Sequence, residues 1–268
     1  MNPSHHTTPT ALTNTLDGTV RYTRHYLNLP KARTVITSQV RAAAQALEAT
    51  IEEQTMMCLT GQPGTGKTFT LHTILDQHPH WHALRLLMRP QARPSDIRAG
   101  LYRALNLPHT PPTDPGICDD LIRHALHHPV RLLAVDEAHQ LSTSCLEYLR
   151  FLHDDPHTRL AVLLLASQHR IKALRAQPAL ASRVTTWHDI HPLDNTEIST
   201  VLPAFHPQWR DSTPSLICEL NTAWAHGNFR RWAVLTHRRA SITHRTGHSP
   251  HDPSPLLKGL HPRPKKNP

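Results

Sequence analysis

Met56-Met57-Cys58-Leu59-Thr60-Gly61-Gln62-Pro63-Gly64-Thr65-Gly66-Lys67-Thr68 is the stretch on which the reading of the fold turns. It opens on a short apolar run that closes at glycine, the pattern of a strand buried on both faces. Residues 61–68 then fit G-x-x-x-x-G-K-[ST] at every fixed position, and residues 67–77 read as a helix closed by Pro79. A strand, a Gly-rich loop and a helix in that order make a phosphate cradle. The glycines let successive backbone N–H groups face one anion, and the helix N-terminus adds the positive end of its dipole. Gly61, Pro63, Gly64, Thr65 and Gly66 are therefore assigned to the bound nucleotide, ATP. Lys67 is expected to reach the β- and γ-phosphates, and the Thr68 hydroxyl to ligate Mg²⁺.

Some 70 residues further on, Leu132-Leu133-Ala134-Val135-Asp136-Glu137 is a second apolar strand, ending in two carboxylates. Asp136 is the expected second Mg²⁺ ligand. Glu137 is the expected general base for the attacking water. Asp136-Glu137-Ala138-His139 also spells the label of a helicase class, but the sequence offers no further helicase motif and no second motor domain.

Around these motifs the pattern alternates. Strands are expected at 56–60, 84–88, 130–135, 160–166 and 184–190, with helices at 38–54, 67–77, 95–106, 117–127, 142–153 and 168–176. The reading is an α/β fold: a five-stranded parallel sheet covered by helices. After Pro192 no strand pattern remains, and 194–202, 214–225 and 228–240 read as three helices of a small lid. The expected division is an extended basic arm over 1–33, a nucleotide-binding α/β domain over 34–191, a helical lid over 192–242 and a disordered basic tail over 243–268.

The chain has 29 Lys and Arg against 20 Asp and Glu, a formal charge of +9. Residues 237–268 carry seven basic residues against Asp252, and 1–33 carry four against Asp17, so the middle is neutral and the ends are basic. Basic ends suit a polyanion such as duplex DNA, and equally an acidic face of a partner protein. No run of about 18 apolar residues and no secretory leader is visible, so no membrane partner is expected and the location is read as cytoplasmic. Cys58, Cys118, Cys145 and Cys218 have no short spacings and are read as reduced thiols. The 24 histidines form no ligand set at zinc spacing with cysteine or carboxylate and are read as exposed, compositional residues.

The phosphate loop, the acidic strand end, the later arginines and the three-helix lid together resemble AAA+ ATPases over about residues 34–240. Within that superfamily the layout is most similar to the bacterial ATPases of DNA transposition, the Mu B and Tn7 regulator (TniB-like) type. The resemblance implies a polar sensor at the end of the fourth strand, where Ser167 stands after Ala166, with Gln168 as the fallback. It implies an arginine finger for a neighbouring subunit at Arg183, a position that also suits an ordinary surface salt bridge. In Gly227-Asn228-Phe229-Arg230 it implies a second sensor, Arg230, reaching the γ-phosphate from the lid. The expected function is that of an ATP-hydrolysing assembly factor. It would oligomerise as a ring or filament on duplex DNA without regard to sequence, recruit a transposase and disassemble on hydrolysis. The alternative is a nucleotide-switched secretion or signalling ATPase that does not act on DNA.

Overall fold

The five apolar runs lie side by side in a computed structural model that describes residues 26–247 and 252–260. They are β1 (Met56–Gly61), β2 (Leu84–Leu87), β3 (Arg131–Asp136), β4 (Leu160–Ser167) and β5 (Val184–Ile190). Every neighbouring pair is parallel, and the strand order is β2-β3-β4-β1-β5. Parallel pairing requires a crossover between strands, and helices supply it. α1 (Ser38–Glu52) precedes the sheet; α2 (Lys67–Gln77), α3 (Pro94–Ala104), α4 (Pro115–Leu126), α5 (Thr143–Asp154), α6 (Ile171–Arg175) and α7 (Pro178–Ala181) lie between strands.

Alternate strand residues serve opposite faces. Met57, Leu59, Leu132, Ala134 and Leu163 pack with residues of α1 and α2. Cys58, Leu133, Val135, Val162 and Leu164 pack with residues of α3, α4 and α5. Both faces are covered over the central strands, which is why β1, β3 and β4 are nearly continuous apolar runs, while the edge strands β2 and β5 admit Arg85 and Thr185, Thr186, His188 and Asp189. Side-chain caps start the helices where the sequence places them: Thr37 Oγ1 accepts from Val40 N at 3.3 Å, and Ser142 Oγ from Cys145 N at 3.3 Å. α4 begins at Pro115, two residues ahead of the sequence expectation. Asp114 caps it by accepting from Ile117 N at 2.9 Å, and proline suits the first helical position.

Beyond β5 the chain forms α8 (Asn195–Phe205), α9 (Pro214–Leu220), α10 (Phe229–Thr246) and α11 (Ser254–Leu257) around a separate apolar cluster. Trp209 and Trp232 meet edge to face at 5.5 Å in its centre. The buried Arg239 stacks its guanidinium 4.5 Å from the Trp209 ring and donates to Ser212 Oγ at 2.6 Å.

The expected helix over 168–176 is a 3₁₀ turn followed by the short α6, with α7 added after it, and α8 runs on to Phe205; three further boundaries differ in and beyond the lid. The expected helix over 214–225 stops at Leu220 and continues as a wider π turn over Asn221–Ala225. The Asn221 carbonyl accepts from His226 N at 2.7 Å, and its side-chain oxygen accepts from Gly227 N at 2.6 Å, so one residue gathers the reversal. α10 runs on to Thr246, past the expected stop at 240, and ends where Gly247 takes φ 74°. Residues 252–260 fall in the expected disordered tail yet contain α11, whose Leu256 is fully buried in the lid cluster. Arg238 Nη1 ties that segment down by donating to Leu256 O at 3.1 Å and Lys258 O at 2.6 Å. Most of the expected arm (1–25) and the tail residues 248–251 and 261–268 lie outside the described residues. What is described of the arm packs on the lid: Leu29 is buried there, and Arg33 N donates to Phe205 O at 2.8 Å.

Candidate nucleotide site

The functional side chains gather where the strands end, because β1, β3 and β4 all stop along one edge of the sheet. The register places Gly61 of β1 beside Ser167 of β4 and Ile190 of β5. Asp136 closes β3 one strand away. The loop after Gly61 turns through Gly64 (φ 85°) and Gly66 (φ 104°), conformations that a side chain would strain. α2 then begins at Lys67, so its N-terminal N–H groups point into the cleft.

Lys67 Nζ donates to Gly61 O at 2.9 Å and Gln62 O at 3.2 Å. Burial pushes its pKa below the ordinary lysine value, while the carboxylates of Glu137 and Asp136 pull it back up. Thr68 Oγ1 donates to the buried Asp136 at 3.0 Å from Oδ2. Arg85 Nη2 lies 3.6 Å from the same oxygen, and Asp136 Oδ1 accepts from Glu137 N at 2.9 Å. A hydroxyl and a carboxylate thus stand together at the foot of the phosphate loop, a hard-oxygen pair that fits Mg²⁺. Glu137 adopts the left-handed conformation (φ 57°, ψ 33°), which a non-glycine residue holds only at some cost.

Of the two sensor candidates, Ser167 lines the cleft. Gln168 is turned elsewhere: its Nε2 donates to Asp189 Oδ2 at 2.8 Å, and Thr60 Oγ1 donates to Asp189 Oδ1 at 2.9 Å. Arg230, on the first turn of α10, lines the cleft from the lid side. The lid touches the loop directly. Asn228 Nδ2 donates to Pro63 O at 2.7 Å, and Arg230 N to Gly64 O at 3.3 Å. A Cβ on Gly64 would collide with the Asn228 amide.

Arg183 is not brought to this cleft. It sits before β5, at the opposite end from Ile190, about 20 Å of strand away. There it clasps Asp154 with Nε at 3.1 Å and Nη2 at 2.8 Å, and this contact holds the Asp154 carboxyl below its usual pKa.

Arg85, His139, Asp189 and Asn228 belong to the site and were not singled out from the sequence. Arg85 carried a signal, a charge inside the apolar run Leu84-Arg85-Leu86-Leu87, and His139 stood in view next to the acidic pair. Asn228 stood within the quoted turn before Arg230 without a role of its own, and Asp189 is an ordinary polar residue until the fold places it. The whole cleft, about 760 Å³, lies between the sheet edge and the lid. Its lining combines charged groups suited to phosphates, Lys67, Asp136 and Arg230, with apolar ones suited to a flat base, Val35, Leu193 and Phe205.

Residues 50–174 match the family model of the AAA domain. General secretion pathway protein A of Aeromonas hydrophila is 29% identical over 150 residues, which are 52% of this chain and 27% of that protein. The chain thus spans about a quarter of the length of that relative. Cdc6p from Pyrobaculum aerophilum superposes with a TM-score of 0.68 at 15% identity, over 84% of this chain and 68% of that one. The Drosophila ORC bound to DNA gives 0.64 at 16% identity, over 97% and 70%. At such identities the structural likeness is one of fold, and the fold is that of the AAA+ P-loop NTPases. No helix among the described residues is long and apolar enough to cross a membrane.

Proposed function

We propose that this AAA-domain P-loop ATPase couples ATP binding and hydrolysis to assembly on duplex DNA, as a regulator that recruits a transposase. The match of residues 50–174 to the AAA domain supports the ATPase activity, and the DNA, the assembly and the partner extend the proposal beyond it. The loop amides and Lys67 hold the phosphates. Thr68 and Asp136 would hold Mg²⁺, which when bound neutralises charge on the β- and γ-phosphate oxygens. Glu137 accepts the proton of the attacking water. Ser167 and Arg230 contact the γ-phosphate from the sheet and the lid. Arg183 is about a strand length from its own cleft, which suits a residue that completes the site of a neighbouring copy, in a ring or a filament.

The observation that carries the DNA reading is α10. Its 18 residues hold no acidic residue; Arg239 is buried, Arg238 holds α11 and Arg230 lines the cleft, so the exposed His237, His244 and Arg245 are what it offers a polyanion, and the helix leads toward the basic C-terminus. It is also the helix whose first turn meets the phosphate loop, so a polyanion bound along the lid senses the nucleotide through Asn228 and Arg230. Phosphate contacts of this kind are indifferent to sequence and sensitive to salt. The test is to titrate the full chain, and one lacking residues 261–268, onto two unrelated duplexes at several salt concentrations. That deletion removes Arg263, Lys265 and Lys266 while keeping the buried Leu256. The salt slope is expected to fall by roughly 0.9 for each lost phosphate contact, equally for both duplexes. Failure of the full chain to bind either duplex at low salt, with ATP present, would overturn the reading.

A second reading rests on the 29% identity with General secretion pathway protein A. In it the same ATP-gated lid acts on a protein partner of a secretion pathway and not on DNA. Salt-insensitive or absent duplex binding by an active ATPase would favour it.

A further inference from the structure

We infer that His139 is a positioning residue for hydrolysis: its imidazole holds the Glu137 carboxylate and fastens it to the end of β4. The inference rests on the reading of Glu137 as general base. Glu137 needs such a partner. Its backbone is held in a left-handed conformation by Asp136 Oδ1 and by Gln140 N, which donates to Glu137 O at 2.8 Å. Its side chain, however, is 46% exposed, and a glutamate in that state keeps most of its rotamer freedom. A misplacement of about 1 Å in a catalytic group can lower a rate 100-fold.

The hydrogen-bond roles of His139 follow from the sheet. β3 pairs with β4 as far as Val135 beside Leu164, and the chain then turns away into the 3₁₀ turn Ala138–Gln140. Beyond that point the β3-facing N–H of Ser167 has no ladder carbonyl, and it donates instead to His139 Nδ1 at 3.3 Å. A backbone N–H only donates, so Nδ1 must be the unprotonated nitrogen of the ring. In a neutral imidazole the proton then sits on Nε2, which lies 3.4 Å from Glu137 Oε2, close enough to face the carboxylate and to donate to it once the exposed glutamate side chain swings in. Burial favours that neutral ring, lowering the His139 pKa against the opposing pull of Glu137. The ring is 13% exposed, and the neighbouring Ala138 is fully buried, so the turn that carries it is anchored. The base and the strand end that presents Ser167 are thereby joined through one side chain.

The two halves of this bridge can be cut separately. An Asn amide reproduces the position of Nδ1, and a Gln amide that of Nε2. His139→Asn keeps the acceptor for Ser167 N–H and loses the donor to Glu137; His139→Gln does the reverse. Single-turnover ATP hydrolysis and nucleotide affinity are to be measured on the full chain for both variants, His139→Ala and Glu137→Gln. We expect His139→Ala and His139→Asn to lower the hydrolysis rate at least about tenfold with ATP affinity within about twofold, and His139→Gln to recover most of the rate. In a Glu137→Gln background, His139→Ala should add nothing, because the carboxylate it positions is gone. Histidine-labelled protein without nucleotide should show, by ¹⁵N NMR, the Nε2-protonated tautomer for the resonance that His139→Gln removes. A wild-type rate in His139→Ala, recovery by Asn but not Gln, or an Nδ1-protonated ring would each overturn the inference. If Glu137→Gln itself hydrolyses at the wild-type rate, the base reading fails. The NMR result still reports separately whether the bridge exists.

Discussion

At the C-terminal ends of the strands Arg85 faces the buried Asp136 at 3.6 Å; at the N-terminal ends Arg183 clasps Asp154 at 2.8 and 3.1 Å on the open surface. The second contact is the tighter, yet it stands in solvent, where an ion pair gains little. The first sits beside the buried Asp136 with left-handed backbone at Gly64, Gly66 and Glu137, where moving one group disturbs several others. Distance alone does not rank these contacts; what surrounds them does. The surface pair can open at small cost, which is what a residue meant for a neighbouring molecule requires.

The largest effect should separate the two ends most sharply. Arg183→Ala should leave the fold intact, moving the thermal midpoint by about 2 °C or less. It should nevertheless cut hydrolysis by assembled protein about 10³-fold, as loss of an arginine finger does. Mixing it with Lys67→Ala should restore part of the activity, since one mixed interface then holds both intact halves. Mixed assemblies without any recovery would reduce Arg183 to a surface salt bridge.

Glu137→Gln should reduce the single-turnover rate about 100-fold or more with nucleotide affinity retained, because the amide keeps the shape and cannot take the proton. Stopped-quench hydrolysis beside equilibrium binding checks both halves of that statement. Lys67→Ala should act on binding instead and weaken ATP affinity about tenfold through loss of a charge-assisted contact, as read by fluorescent-nucleotide titration. The smallest effect is expected at the lid contact. Gly64→Ala places a methyl group against the Asn228 amide at φ 85°, and should cost roughly 1 kcal/mol in urea unfolding. Asn228→Ala in the same chain should return part of that loss, since the collision is removed even though the strain remains. Additive losses in the double variant would mean that the two residues do not meet in solution.

The phosphate loop, the acidic pair and all five strands were legible because their signals are local: an apolar run bounded by glycine or carboxylate, a fixed spacing over eight residues, a capping hydroxyl at a helix start. The lid was legible as helices, but not the π turn at Asn221 or the docking of Leu256. Those depend on a side chain replacing a backbone partner and on a cavity in a remote cluster.

By itself the sequence determined the strand, Gly-rich loop and helix of a phosphate-loop pattern and which residue types it brings. The tertiary structure decided which of them meet. Thr68 and Asp136 are 68 residues apart and joined at 3.0 Å; Ser167 and His139 are 28 apart and joined at 3.3 Å; Ser167 and Gln168 are adjacent and point to different partners. Arg183 and Ile190 bound one strand and stand at opposite ends of the sheet. Periodicity tells which face of an element is buried, whereas strand order and the point where each strand stops fix what lies across the gap.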